Sequence, residues 1–379
     1  MKIAIVRQRY NPYGGAERFV ERALGALVEE GAEVSLITRS WAGASSGGFR
    51  LVECDPPYSR WLGGRAARDR SFAMAAQQAM RDGAYDITQA HERIPGCTLF
   101  RAGDGVHAAW LQHRARALGA LGRLGQSLSG FHRYVLGAER DLFAHPALRG
   151  VICNSRMVAD EISDFYAVDR DRLAVIYNGV DTAVFHPDLA DRYRLSTRAA
   201  AGIPPEVPVL LYVGSGFERK GVPGLLAAFA TLPDSATRLV VVGADRKLKA
   251  ARAQAAGLGL ADRVLFTGPL QDVRPWYGAA DAFVLPTLYD PCPNAVLEAL
   301  ASGLPVLTST TCGAKEWIVE GRNGCVVDAL DGEALADGLL RLLQLAAQPA
   351  ARAAARGVAE PLTLDAMAQR LLALYRRCR

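Results

Sequence analysis

Residues 288–306 read LYDPCPNAVLEALASGLPV. The pattern is a loop entering a helix, with Asp290 just outside the helix and Glu298 about one turn inside it. Pro293 suits the first helical position, because its missing N–H would have no partner there and its φ is already helical. Asn294 and Ala295 then offer backbone N–H groups at the positive end of the helix dipole, a seat for phosphate. Glu298 can reach a hydroxyl beside that phosphate. Ser302-Gly303 ends the helix, and Leu304-Pro305-Val306-Leu307 starts a buried strand. A carboxylate, a helix N-terminus and a second carboxylate suit a sugar–diphosphate. The same residues also fit an ordinary amphipathic helix with one exposed Glu, so the surrounding chain must decide.

Upstream, a strand at 209–213 (VLLYV) runs into Gly214-Ser215-Gly216 and then Phe217-Glu218-Arg219-Lys220-Gly221, with a helix expected over 222–232. Further strands at 239–242, 264–266 and 282–285 end in Gly243, in Thr267-Gly268-Pro269-Leu270 and in Pro286-Thr287. Strand, glycine-rich or polar turn, helix, strand is the rhythm of a doubly wound parallel sheet, whose ligands sit at the carboxyl ends of the strands. Arg219 and Lys220 stand at such an end. Arg can grip two phosphate oxygens as a fork while Lys acts as a point charge. An exposed basic pair is the plainer reading of the two residues alone. Together with Asp290 and Glu298 on the same sheet edge, they point to a diphosphate site.

The first half repeats the rhythm. A strand at 2–6 leads to Asn11-Pro12-Tyr13-Gly14-Gly15-Ala16-Glu17 and a helix through Leu27, then a strand at 34–38. Gly14-Gly15 lets backbone come close to a ligand, or simply makes a tight turn; it is not the GxGxxG of a dinucleotide site. A strand at 84–89 ends at His91-Glu92-Arg93, and a strand at 99–102 ends at Gly103-Asp104-Gly105. His91 and Asp104 fit ligand contacts, or a capped histidine and a turn aspartate. Residues 107–143 read as helical, with Arg114, Arg116, Arg123, Arg133 and Arg140 beside an apolar stripe that includes Leu121, Leu124 and Leu128. Such a segment suits an anionic membrane surface, or a helix pair packed on the sheet with Arg facing solvent. Strands at 151–155 and 173–177 close the half, and 182–208, with four prolines, reads as a linker holding one short helix.

At 379 residues the chain exceeds one core and suggests two domains. With 50% hydrophobic and 22% charged residues it is globular, and a net charge of +5 favours an anionic partner without naming nucleic acid. The 7 cysteines form no CxxC pair, which suits reduced thiols. The N-terminal apolar run is too short for a signal peptide, and no run of about 18 apolar residues suggests a membrane span.

NPYGGAERF, IYNGVD, LYVGSGFERKGV, VLFTGPLQDV and LYDPCPNAVLEALASGLPV together resemble the motifs of the family 4 retaining glycosyltransferases, over nearly the whole chain. GSGFERKGV, SWAG at 40–43 and HERIPGC at 91–97 are most similar to the lipopolysaccharide core glucosyltransferases of that family. The resemblance implies an α/β GT-B fold, two Rossmann-like doubly wound domains facing a central cleft. Residues 1–184 would bind acceptor, 185–204 would link, 205–362 would bind nucleotide sugar, and the helix of 363–379 would pack back on the first domain. It also assigns roles. Arg219 and Lys220 would stabilise the leaving diphosphate, with Asp290 and Asp104 as further catalytic groups. Gly14, Gly15, Gly214, Ser215 and Asn294 would approach the donor. The backbone of Ala295, Val296 and Leu297 would meet phosphates or sugar, Glu298 the ribose, and Gly268, Leu270 and Val273 the base. Glu17, His91, Glu92 and Asp104 would face the acceptor.

The expected reaction moves a hexose, glucose from UDP-glucose, to a heptose of the lipopolysaccharide core or a similar envelope glycan, with retention. No metal or other cofactor is implied; Asp169-Arg170-Asp171 is a DxD by composition only. The expected partners are the nucleotide sugar, a glycolipid acceptor and an anionic membrane through 107–143, not nucleic acid. The expected location is cytoplasmic, peripheral on the inner membrane. Other envelope-polysaccharide transferases, a nucleotide-sugar epimerase on the same fold and a nucleotide-sugar-binding membrane adaptor remain alternatives. One departure stands out: the family usually has Glu where this chain has Asp290, one methylene shorter.

Overall fold

The computed structural model describes residues 1–9, 25, 27, 31–40, 48–59, 61 and 63–378. Gly14, Gly15, Glu17 and residues 41–43 of SWAG lie outside the described residues. The chain divides into two compact units, Met1–Asn178 with Leu364–Arg379, and Gly179–Thr363.

The strands of the first unit are β1 Lys2–Val6, β2 Glu33–Thr38, β3 Arg50–Glu53, β4 Ile87–Ala90, β5 Leu99–Arg101, β6 Gly150–Cys153 and β7 Leu173–Val175. They form one parallel sheet in the order β3-β2-β1-β4-β5-β6-β7. The strand order reverses between β1 and β4, the switch point where a doubly wound sheet opens to a ligand. Ile3, Ala4, Ile5 and Val6 are fully buried, as strands covered on both faces require. The helix Leu364–Cys378 adds Met367, Leu371, Leu374 and Tyr375 to this core. Its Tyr375 hydroxyl donates to Gln89 Oε1 at 2.7 Å, and Arg149 Nη1 donates to Cys378 O at 2.8 Å.

Two elements of this unit are absent from the expectations above. The edge strand β3 is only half buried, so RLVE carries no apolar run. The 19-residue helix Gly64–Asp82 buries only Phe72, Ala76 and Met80, a narrow stripe on an otherwise polar surface. Residues 107–143 form three helices, His107–Ala117, Ala120–Leu128 and Gly130–Phe143. Buried Glu139 ties the third to the first: it accepts from the His107 amide and from Arg93 Nε, both at 2.7 Å, and from the Tyr166 hydroxyl at 2.6 Å.

The second unit holds β8 Val209–Val213, β9 Arg238–Val242, β10 Val264–Gly268, β11 Ala282–Leu285, β12 Val306–Ser309 and β13 Gly324–Val327, parallel in the order β10-β9-β8-β11-β12-β13. The reversal here lies between β8 and β11. Residues 185–204, expected to be a linker holding one short helix, carry the helix Leu189–Ala200 and fall within this unit. The reason is Arg198, fully buried among oxygens. It donates to Ala279 O at 2.8 Å, Pro205 O at 2.7 Å, Val207 O at 2.8 Å and Asp281 Oδ2 at 2.7 Å. Gly278 lets this helix come close, since a Cβ there would lie 2.2 Å from Leu189 O. The chain enters this unit near Val180 and leaves it at Thr363, and these two residues form a parallel bridge.

Candidate functional site

In the second unit both sides of the switch point carry the expected residues. The turn after β8 is set by backbone. Gly221 has φ +79°, and a Cβ there would lie 1.8 Å from Pro286 O, so only glycine fits against the end of β11. Leu288 N donates to Arg219 O at 2.8 Å, and the Thr287 hydroxyl donates to the same carbonyl at 3.1 Å. The two strand-end loops are thereby stitched together, with Arg219 and Lys220 facing Asp290.

Lys220 Nζ lies 3.4 Å and Arg219 Nη1 3.9 Å from Asp290 Oδ2. Arg219 Nη1 also donates to Tyr289 O at 3.0 Å. Asp290 and Lys220 are largely buried, while the Arg219 side chain is 41% exposed and able to swing to a ligand. Asp290 is fixed by its own backbone: its N–H donates to Thr311 O at 3.2 Å, and its carbonyl accepts from Gly313 N at 2.9 Å.

The helix is Asn294–Ala301, beginning one residue later than expected, with Pro293 as an extended cap at ψ 118°. Proline ahead of the first turn still removes a donor that would have no partner. Val296 and Leu297 are fully buried, so only their backbone can meet a ligand, whereas Asn294 and Ala295 are partly open. Glu298 is buried, and its Oε2 accepts from the Tyr277 hydroxyl at 3.0 Å. Gly214 packs against Lys220, and Ser215 is exposed beside it. Gly268 ends β10 at φ +75°, exposed Leu270 follows, and Val273 caps the helix Arg274–Ala279.

Three residues of this region were not anticipated. Asp245 accepts from the Gly216, Phe217 and Lys247 amides at 2.8, 2.9 and 2.7 Å. Burial pushes its pKa up, yet these N–H groups outweigh burial and hold it below the ordinary value. Thr287 and Tyr277 are the others. An Asp two residues past a strand-end glycine is a readable turn signal; Thr287 shows in the sequence only as part of a strand end, and Tyr277 carries no signal.

In the first unit, β1 and β4 flank the switch. Glu92 Oε1 accepts from Gln8 N at 2.8 Å and lies 3.4 Å from Arg7 Nη1. Burial raises its pKa to about 7 against the pull of Arg7 and the Gln8 amide, and Asp104 adds to the rise. Asp104 itself is exposed in the turn between β5 and the helix His107–Ala117. His91 sits deeper. Gln89 spends its oxygen on Tyr375, so its amide donates to His91 Nε2 at 2.9 Å, which assigns the proton to Nδ1. Burial, then Arg101 and Arg7, hold His91 well below its usual pKa, so it is neutral. Glu92 and Asp104 thus stand at one edge, with His91 buried behind them. Among the described residues no group of three His, Cys, Asp or Glu could hold a metal ion.

Two family profiles match. Glycosyltransferase Family 4 covers residues 13–184 and Glycosyl transferases group 1 covers residues 207–345. The chain is 29% identical over 334 residues to the lipopolysaccharide glucosyltransferase WaaG of Escherichia coli K12, covering 86% of this chain and 85% of that one. It is 28% identical to a D-inositol 3-phosphate glycosyltransferase of Xylanimonas cellulosilytica, over 96% of this chain and 91% of that one. The crystal structure of WaaG, a glycosyltransferase involved in lipopolysaccharide biosynthesis, superposes with a TM-score of 0.82 at 26% identity, covering 98% of this chain and 99% of that one.

Proposed function

Because this chain belongs to glycosyltransferase family 4 and is built as two parallel-sheet domains of the GT-B kind, we propose that it transfers glucose from UDP-glucose to a heptose of the lipopolysaccharide core, with retention of configuration. The observation that carries the donor half is the cationic pair Arg219–Lys220 held against Asp290, beside the N-terminus of Asn294–Ala301. Arg219 and Lys220 bind the diphosphate and take up the charge that develops as the sugar leaves. The first-turn amides of the helix add their dipole, and Glu298 holds the ribose. Asp290 holds the transferred sugar through its hydroxyls. With two cations on the leaving group, the step needs no metal, and chelation with EDTA is expected to leave turnover unchanged. The departing diphosphate can serve as the base for the attacking hydroxyl, so front-face displacement gives retention without an enzymatic nucleophile.

The acceptor half rests on Glu92 and Asp104 of the first unit and on the likeness to WaaG, which is named a lipopolysaccharide glucosyltransferase. The exposed leucines of Ala120–Leu128, among arginines, support docking of the protein on the anionic cytoplasmic face of the inner membrane, where a glycolipid acceptor would be presented.

The test is release of UDP from UDP-glucose with and without heptose-terminated core glycolipid. Release that requires the glycolipid, with an α-linked product, supports the proposal. Conversion of the sugar without acceptor would indicate an epimerase. Binding of the donor with no turnover on any glycan would indicate an adaptor.

A further inference from the structure

Tyr277 lies outside the loops that hold the phosphates, yet it is built with unusual care. It is almost fully buried in the short helix Arg274–Ala279. Its ring stands edge-on to Phe185, 5.4 Å between centroids, and stacks with Phe283 at 6.1 Å. Gly278 beside it seats its backbone against the carbonyl of Leu189. One stacked and one perpendicular aromatic neighbour restrict the ring, and so where its hydroxyl lies.

That hydroxyl meets the helix Asn294–Ala301 on one face. It is 3.0 Å from Glu298 Oε2 and 3.2 Å from Ala295 O. Residues 295 and 298 are three apart and share that face. A buried carboxylate with one oxygen anchored by a rigid phenol has lost its freedom to rotate. The orientation of the carboxylate is then restrained by the protein before any ligand arrives, and pre-organisation of this kind raises selectivity.

We propose that Tyr277 is a positioning residue for nucleoside recognition: through its hydroxyl it aims Glu298 at the ribose diol, so that the enzyme separates ribonucleotide from deoxyribonucleotide donors. This rests on the reading of Glu298 as the ribose contact. A carboxylate accepts from two adjacent hydroxyls only when its plane faces them, and a donor lacking one hydroxyl leaves an acceptor unsatisfied in a buried place. A carboxylate free to turn would discriminate less.

The experiment is titration of UDP and of 2′-deoxy-UDP and 3′-deoxy-UDP into the full-length protein, its Tyr277→Phe variant and its Glu298→Gln variant. Tyr277→Phe removes one hydroxyl and keeps both ring contacts. It is expected to weaken UDP about tenfold while changing the deoxy nucleotides little, which narrows the selectivity ratio by a similar factor. At saturating donor its kcat stays within about twofold, since the reacting centre is untouched. Phe185→Leu, which keeps the hydroxyl but removes one wall of its pocket, is expected to narrow the ratio less, in the same direction. An unchanged ratio in Tyr277→Phe, with Glu298→Gln still losing selectivity, overturns the role of Tyr277 alone. A Glu298→Gln variant that retains the full ratio overturns the ribose assignment as well.

Discussion

Lys220 Nζ stands 3.4 Å from Asp290 Oδ2, so the cation expected to meet the donor's diphosphate is already paired with the carboxylate expected to meet the donor's sugar. Each neutralises the other in a poorly hydrated place. Lys220→Ala therefore does two things. It removes a charge from the leaving group, lowering kcat by about 10²- to 10³-fold. It also leaves Asp290 facing only the more distant Arg219, which costs ~1–3 kcal/mol of stability. Steady-state kinetics and urea unfolding read the two effects separately, and full turnover in Lys220→Ala would remove this pair from the mechanism.

Arg198 makes a purely structural counterpart. Its guanidinium serves three backbone carbonyls and Asp281, and it holds Leu189–Ala200 on the second unit. Arg198→Ala leaves the three carbonyls without this donor, while Asp281 keeps Arg194 and the Val209 amide, and is expected to cost on the order of 3 kcal/mol in urea unfolding. Arg198→Lys should recover little, because an ammonium cannot span the fork. A loss below about 1 kcal/mol would show that the helix is held mainly by apolar packing.

These two arginine and lysine sites mark how far the sequence could be read. The strand ends that carry Arg219, Lys220, Asp290 and Glu298 were legible because a buried parallel strand leaves a continuous apolar run and its ligand edge leaves glycine and polar residues. The linker was misplaced for an equally physical reason. Prolines at 187, 204, 205 and 208 signal breaks in secondary structure, but the ties that draw the segment into the second unit, Arg194 and Arg198 on Asp281 and Leu189 against Gly278, join residues 83 or more positions apart. The roles of Tyr277 and Thr287 were invisible for the same cause: each acts by one hydroxyl that only the fold brings to its acceptor. The helix Gly64–Asp82 was missed because three buried side chains give too narrow a stripe.

Glu92 gives a pH signature. Its pKa rises from an ordinary 4.5 to about 7, chiefly by burial. Between those values the folded chain keeps a proton that the unfolded chain has released, so this residue makes stability fall as pH rises through the window. Glu92→Gln removes that slope. Against wild type, the variant should gain on the order of 1–3 kcal/mol in urea unfolding between pH 4.5 and 7.5. Parallel curves for the two proteins would mean that Glu92 is ionised throughout.

The helix Ala120–Leu128 presents Leu121, Leu124 and Leu128 at 86%, 56% and 64% exposure. Their spacing of three and four puts them on one face, and Arg116, Arg123 and Arg133 are exposed around them. Residues 107–138 contain no acidic side chain, so the surroundings are cationic. Inserting each leucine into a membrane interface is worth up to about 1.5–3 kcal/mol, against roughly 1 kcal/mol for each arginine near anionic headgroups. The leucines should therefore dominate. Replacing all three by serine is expected to abolish co-sedimentation with phosphatidylglycerol-containing vesicles while leaving turnover on a soluble, delipidated acceptor unchanged. Wild-type binding should weaken but persist as salt is raised to about 0.5 M, because screening acts on the arginines and not on the buried leucines. A wild-type protein that stays in the supernatant at low salt would refute membrane docking by this face.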